Sequence, residues 1–221
     1  MAKKRIDVDA IIPQVRLQEQ AGDPAVPTAG YTWLYTKALG LYLEQDDGTV
    51  LGPFGAGGGG GGMQELIFLP KSNEPPATNY ATLDTRNIHP ILDFDKDTDE
   101  SAVFSCILPS TYAGGGLTAY IHWSADGVTV NDVVWDVSFE RIGTAQDVDV
   151  DSFAAVQSVT DTAPGTDGFV AIASIGFTNG AQMDSIAAGE LFRVKITRDA
   201  DSGNDDLDAD AELHALHIVE T

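Results

Sequence analysis

Cysteine, positive charge, long apolar runs and catalytic motifs are all scarce in this chain of 221 residues. Cys106 is the sole cysteine, so no intrachain disulfide is available. It sits in the apolar run Val103 to Leu108 with no basic neighbour in sequence, which predicts a buried free thiol rather than a nucleophile. Twelve Lys and Arg stand against 34 Asp and Glu, a formal charge of −22 that repels phosphate backbones and excludes nucleic acid as an expected partner. No segment approaches the roughly 18 apolar residues of a membrane-spanning helix. The basic opening Lys3-Lys4-Arg5 leads into Ile6-Asp7-Val8-Asp9 rather than the apolar core of a secretory signal. The expectation is a soluble protein with no membrane insertion. No Gly-x-Ser-x-Gly elbow supports acyl transfer.

What is present is a division. Six glycines, Gly57 to Gly62, separate a short turn-rich piece from a long segment of alternating apolar residues. Residues 1–62 carry five Lys/Arg and seven Asp/Glu, leaving seven against 27 for residues 63–221, so nearly all the negative excess lies after the glycines. The pattern predicts four parts: an extended anchoring arm over 1–30, a small β-meander over 31–54, a Gly-rich linker over 55–62 and a β-sandwich over 63–221.

Pro13, Pro24 and Pro27 interrupt the arm and deny it a sustained helical face. Val8, Ile11, Ile12, Val15 and Leu17 offer contacts to a host assembly, with a floppy terminus as the other reading. From Tyr31, strands at 31–36, 41–44 and 49–51 surround the turn Asp46-Asp47-Gly48, whose Asp-Gly step accepts a tight hairpin. A meander this small is marginal alone in water, which predicts burial of its aromatics in an oligomer. The glycine run reads either as a flexible coil or as extended left-handed helices bundled along a fibre axis.

Beyond Met63, strands are expected at 65–69, 80–84, 91–94, 102–108, 117–124, 132–142, 155–160, 169–177, 191–198 and 211–219, with a helical turn within 180–190. Phe192, Val194 and Ile196 alternate with Arg193, Lys195 and Thr197, the period of a strand with one wet face. Short strands punctuated by Gly, Pro, Asp and Asn, without a βαβ rhythm, predict an all-β fold, an antiparallel sandwich with jelly-roll topology.

Four places carry residue types that could serve chemistry. Asp93, Asp95, Asp97 and Asp99 open like a calcium loop, but Thr98 stands at the glycine position and Phe104 at the bidentate glutamate position. Asp199, Asp201, Asp205, Asp206, Asp208 and Asp210 form a second acidic loop in which calcium is the sharper reading and a solvated turn the plainer one. His214 and His217, three apart on a strand, point to opposite faces under strict alternation, and His89 and His122 lack partners at ligand spacing, so no zinc site is expected. Trp123 and Trp135 fit the core better than a sugar platform, whereas Tyr112 beside Gly114 to Gly116 is the candidate exposed contact. A wealth of acids does not define the two carboxyls at set separation that glycoside hydrolysis needs. No catalytic, cofactor or metal residue is assigned.

Two segments resemble known families. Leu34-Tyr35-Thr-Lys37, Gly40-Leu41-Tyr42 and Asp46-Asp47-Gly48-Thr49 resemble a short element of phage tail-fibre and other virion appendage proteins. Tyr80 to Asp84, Pro90 to Phe94, Leu117 to Trp123, Val133 to Asp136, Phe192 to Asp199 and Asp210 to Leu213 are similar to a jelly-roll module of structural proteins in tailed phages and prophages. The resemblance implies a non-enzymatic virion surface protein without a cofactor. It would be a homotrimeric capsid decoration protein or head fibre, attached to capsid or tail proteins through the N-terminal region. The alternatives are a short tail fibre, a lectin-like module binding host-surface glycan and, from a third class, a small polysaccharide-cleaving enzyme.

Overall fold

A computed structural model describes residues 21, 24–37, 40–54, 63, 65–127, 130–144, 146–150 and 153–221. Most of the expected arm and the whole of the expected linker lie outside them. The chain forms two compact units, Met1–Gly61 and Gly62–Thr221.

In the first unit β1 (Trp33–Lys37), β2 (Gly40–Glu44) and β3 (Val50–Phe54) form an antiparallel meander. The turn between β2 and β3 closes through Gly48 N donating to Gln45 O at 3.0 Å, with Gly48 at φ 86°, where a side chain would be strained. Asp47 caps it by accepting from Thr49 N at 2.8 Å. Tyr35 and Tyr42, directly opposed on β1 and β2, stack with centroids 5.6 Å apart. Tyr35 is buried, while Tyr31, Leu34, Val50 and Leu51 are exposed.

The second unit contains β4 (Leu66–Phe68), β5 (Thr82–Arg86), β6 (His89–Phe94), β7 (Glu100–Ile107), β8 (Leu117–Ala125), β9 (Asp132–Ile142), β10 (Gln157–Thr162), β11 (Ala171–Phe177), β12 (Leu191–Arg198) and β13 (Ala211–Glu220). All ten expected strands are present, with ends shifted by a few residues. The helical turn is a 3-10 turn at Ala181–Met183 that drives Met183 into the core. One sheet runs β11-β8-β13-β6-β5, with β4 also on β13, and the other runs β10-β9-β12-β7, every pairing antiparallel. Numbering β6 to β13 as one to eight, the sheets read 6-3-8-1 and 5-4-7-2. That order is the jelly roll, two Greek keys wrapped into a sandwich.

The core lies between the sheets, where alternate residues of both converge. Phe94 and Trp123 of the larger sheet meet Trp135 of the smaller edge to face, at 5.1 and 6.1 Å, and Phe177 meets Phe139 at 4.8 Å. Both tryptophans are fully buried, as the strand pattern predicted. Cys106 departs from expectation: it faces the core opposite buried Phe192 but is only half-buried, near the end of the edge strand β7.

An ion pair lies in the interior. Arg198, fully buried at the end of β12, pairs with buried Asp205 at 2.9 Å and donates to the carbonyls of Leu207 and Ala209 at 2.7 and 2.8 Å. Asp205 in turn accepts from Val134 N at 3.0 Å, and Asp206 from Asp132 N at 2.7 Å. The second acidic loop is therefore wrapped on a guanidinium, with these carboxylates committed to protein donors. The first joins it: Lys96 N donates to Asp210, Lys96 Nζ pairs with Asp208 at 2.9 Å, and Asp201 N donates to Asp99. Among the described residues no group of three or more acids, histidines or cysteines is arranged to hold a metal.

Candidate functional site

The feature that organises the outer face of the larger sheet is a register shift in β13. Leu213 pairs with Trp123, but the next pairing across to β8 is Ala215 with His122, so His214 is an extra residue on β13. Such a β-bulge reverses the alternation for everything after it. Leu213 before it and Leu216 and Ile218 after it all face the core. His214 and His217 consequently share the outer face, against the expectation of opposite faces.

The other two histidines arrive from neighbouring strands. His122 on β8 lies outward beside Ala215, and His89 begins β6 directly opposite Arg86 of β5. All four histidines of the chain thus line one open depression of about 870 Å³, together with Ile67, Arg86, Asn87, Asp167, Gly168, Val170 and Ala215. Its size is near the upper end of the usual range for small-molecule sites. His217 is flanked by Tyr120, stacked at 5.6 Å and 28°, and by Ile67, its partner on β4. His122 stands 6.3 Å from His217, and His217 Nε2 is 3.2 Å from Glu65 without the alignment of a hydrogen bond.

A polar network fixes the other end. Arg86 pairs with Glu212 at 2.7 Å and with Asp167, and donates to Ala125 O at 3.3 Å. Asp167 also accepts from Gly127 N at 3.0 Å. Gly168, at φ 71°, lets the loop before β11 close on this arginine, since a Cβ there would lie 3.0 Å from the guanidinium. Arg86 holds the Asp167 carboxyl below its usual range. Burial pushes the imidazoles of His122 and His214 down, with His217 adding to the effect on His122, so both are neutral at pH 7.

Ser124, His214 and Glu212 cluster in the manner of a serine hydrolase triad, yet their polarity is wrong. Ser124 Oγ donates to Glu212 at 2.6 Å, which leaves His214 Nε2, 2.9 Å away, to donate its proton to the serine oxygen. A general base needs a lone pair facing the hydroxyl. Ser124 is also fully buried and out of reach of a substrate. The cluster braces the floor of the depression and supplies no nucleophile.

Tyr112, the candidate exposed contact, is buried, and its hydroxyl donates to Gly115 O. The adjoining glycines serve close packing: a Cβ on Gly115 would stand 2.8 Å from Thr221 O, and one on Gly116 2.5 Å from Phe177 O. Glu220 ties this loop to the start of the unit, accepting from Ala113 N, Gly115 N and Met63 N at 2.8, 3.1 and 3.0 Å.

Neither protein-family models nor curated proteins match the chain. Among solved structures it is similar to CBM35 from Cellvibrio japonicus Abf62, with 11% identity over 71% of this chain and 93% of that one, at a TM-score of 0.43. It is similar also to the CBM36-1 domain of a multidomain xylanase from the hindgut metagenome of Trinervitermes trinervoides, with 13% identity over 72% and 98% of the two chains and a TM-score of 0.40. A structure of infectious bursal disease virus, Gx strain, aligns at 10% identity over 71% of this chain and 32% of that one, with a TM-score of 0.29. The strand order, not these overlaps, carries the fold assignment.

Proposed function

We propose that the chain is a non-enzymatic recognition protein whose jelly roll binds carbohydrate on the outer face of its larger sheet. The observation that carries this is the bulge in β13, which turns a regular wet sheet face into an open depression. Four histidines there, with Tyr120 and Asn87 at its margins, present hydrogen-bonding edges between the apolar Ile67, Val170 and Ala215. A ligand with hydroxyls around an apolar ring body suits that mixture. The Ser124 cluster offers no nucleophile for acyl transfer. The test is a glycan panel against the full chain: binding lost in His122→Ala together with His217→Ala supports the reading, and failure of every glycan to bind contradicts it.

A second reading concerns where the module is displayed. Tyr31, Leu34, Val50 and Leu51 are between 40% and 69% exposed on a three-stranded meander in which Tyr35 is buried. Apolar surface of that extent on so small a sheet favours association with further copies or with a particle surface. This supports a homotrimer carried on a virion, as a capsid decoration protein, head fibre or short tail fibre, fixed to capsid or tail proteins through its N-terminal region. A monomeric mass at micromolar concentration would contradict an intrinsic trimer, and absence from purified particles would contradict the virion surface.

A further inference from the structure

We infer that the ligand is an internal stretch of a neutral, linear glycan lying along β13, and not a terminal sugar; this rests on the carbohydrate reading above. The depression lined by the four histidines does not end at His217. A second depression of about 510 Å³, lined by Glu65, Tyr120, Ile172 and Val219, shares His122 and His217 with the first. The two form one trough open to solvent. Between His214 and Val219 the strand advances about 16 Å at roughly 3.3 Å per residue, longer than one pyranose ring.

An apolar side chain stands on each side of the trough. Ile172, opposite His122 on the edge strand β11, is 55% exposed, and Ile67, opposite His217 on β4, is 62% exposed. Two exposed isoleucines thus flank a central row of rings, an arrangement that shields the faces of a chain of sugars and leaves their hydroxyls to Tyr120 and the imidazoles. Charge selects within that class. Arg86 is already matched by Glu212 and Asp167, Glu65 stands at the other end, and the chain carries −22. A polyanionic chain would meet repulsion at both ends.

The experiment titrates the full chain calorimetrically with cello-, xylo-, manno- and malto-oligosaccharides from disaccharide to hexasaccharide, and with oligogalacturonate as the charged control. For the series that binds, affinity is expected to rise at least about tenfold with length. Ile172→Asp, on an exposed edge position, is expected to remove that gain. His89→Ala, in the first depression, is expected to weaken every length. Equal affinity for all lengths, or no effect of Ile172→Asp on the hexasaccharide, overturns the extended trough while the carbohydrate reading survives. Preference for oligogalacturonate overturns the neutral ligand. If no series binds, both fall together.

Discussion

Replacing Asp93 by Asn is expected to stabilise the protein at pH 8 and to do so progressively less on acidification. Asp93 lies on β6 directly across from Glu212 of β13, and its Oδ1 is buried without a hydrogen-bond partner. Burial first, then the charges of Asp210, Glu212, Asp126 and Asp84, push its carboxyl from 3.8 up to about 7. A group raised in the folded state contributes stability that is fully present below the unfolded value and lost as pH rises through the folded one. Three units at about 1.4 kcal/mol each give roughly 4 kcal/mol. Because the residue is only partly buried, solvent screening reduces this to about 2 kcal/mol. At pH 5 only the interval between the unfolded value and the ambient pH counts, so the penalty there falls to under about 1 kcal/mol. Asn cannot ionise and escapes the penalty. Thermal unfolding followed by circular dichroism should show Tm raised by about 4–8 °C at pH 8 and by less than half of that at pH 5. An equal gain at both pH values, or a loss at pH 8, would refute the reasoning.

The remaining expectations address other parts of the sandwich. Arg198→Ala leaves Asp205 buried without its cation and strips donors from two carbonyls, which should cost about 3–5 kcal/mol, read as a fall in Tm on the order of 10 °C. Glu220→Ala leaves the N–H groups of Ala113, Gly115 and Met63 unsatisfied and should cost about 1–3 kcal/mol, with faster amide exchange at all three positions. His122 and His214 are held below the ordinary imidazole value, so their stability contribution is complete above about pH 6.5 and is lost as pH falls through that value and the lower folded ones. In the Asp93→Asn background, where the opposing carboxylate is gone, Tm should therefore fall more steeply from pH 7 to pH 5 than in the parent protein.

Much of the fold was legible because one-sided burial writes a period of two into a strand. Val133, Trp135, Val137 and Phe139, like Phe192, Val194 and Ile196, place both strand and core face without further help. The site was not legible by that rule, since it arises where the rule is broken. In β13 the inward residues are Ala211 and Leu213, then Leu216 and Ile218, a change of parity that marks the bulge and could have been read from the sequence. Strict alternation over that break separates His214 from His217 and hides the histidine cluster. The acidic loops left calcium open as the sharper of two readings. Composition suggests mutual repulsion in need of a cation, whereas Arg198 and Lys96 and several backbone N–H groups already answer it. The triple glycine near Tyr112 suggested an open contact loop, but neighbouring backbone passes too close to Gly115 and Gly116 for a Cβ, and Gly114 takes a φ of 92°.

A single inserted residue shapes the proposed binding face. The bulge at His214 reorients the end of β13, the reoriented strand gathers imidazoles from three strands, and the sheet holds them over a core closed by Trp123 and Trp135. Repeated copies on a particle would raise weak individual binding into avidity.

The most direct test is histidine-selective NMR of the full chain during titration with neutral oligosaccharides. Every histidine of the protein lines the proposed trough, so a bound glycan should shift imidazole resonances, those of His122 and His217 most, because both depressions share them. Binding that leaves all four imidazoles unmoved, or that perturbs only the loop around Tyr112 or the meander, would contradict the placement of the site.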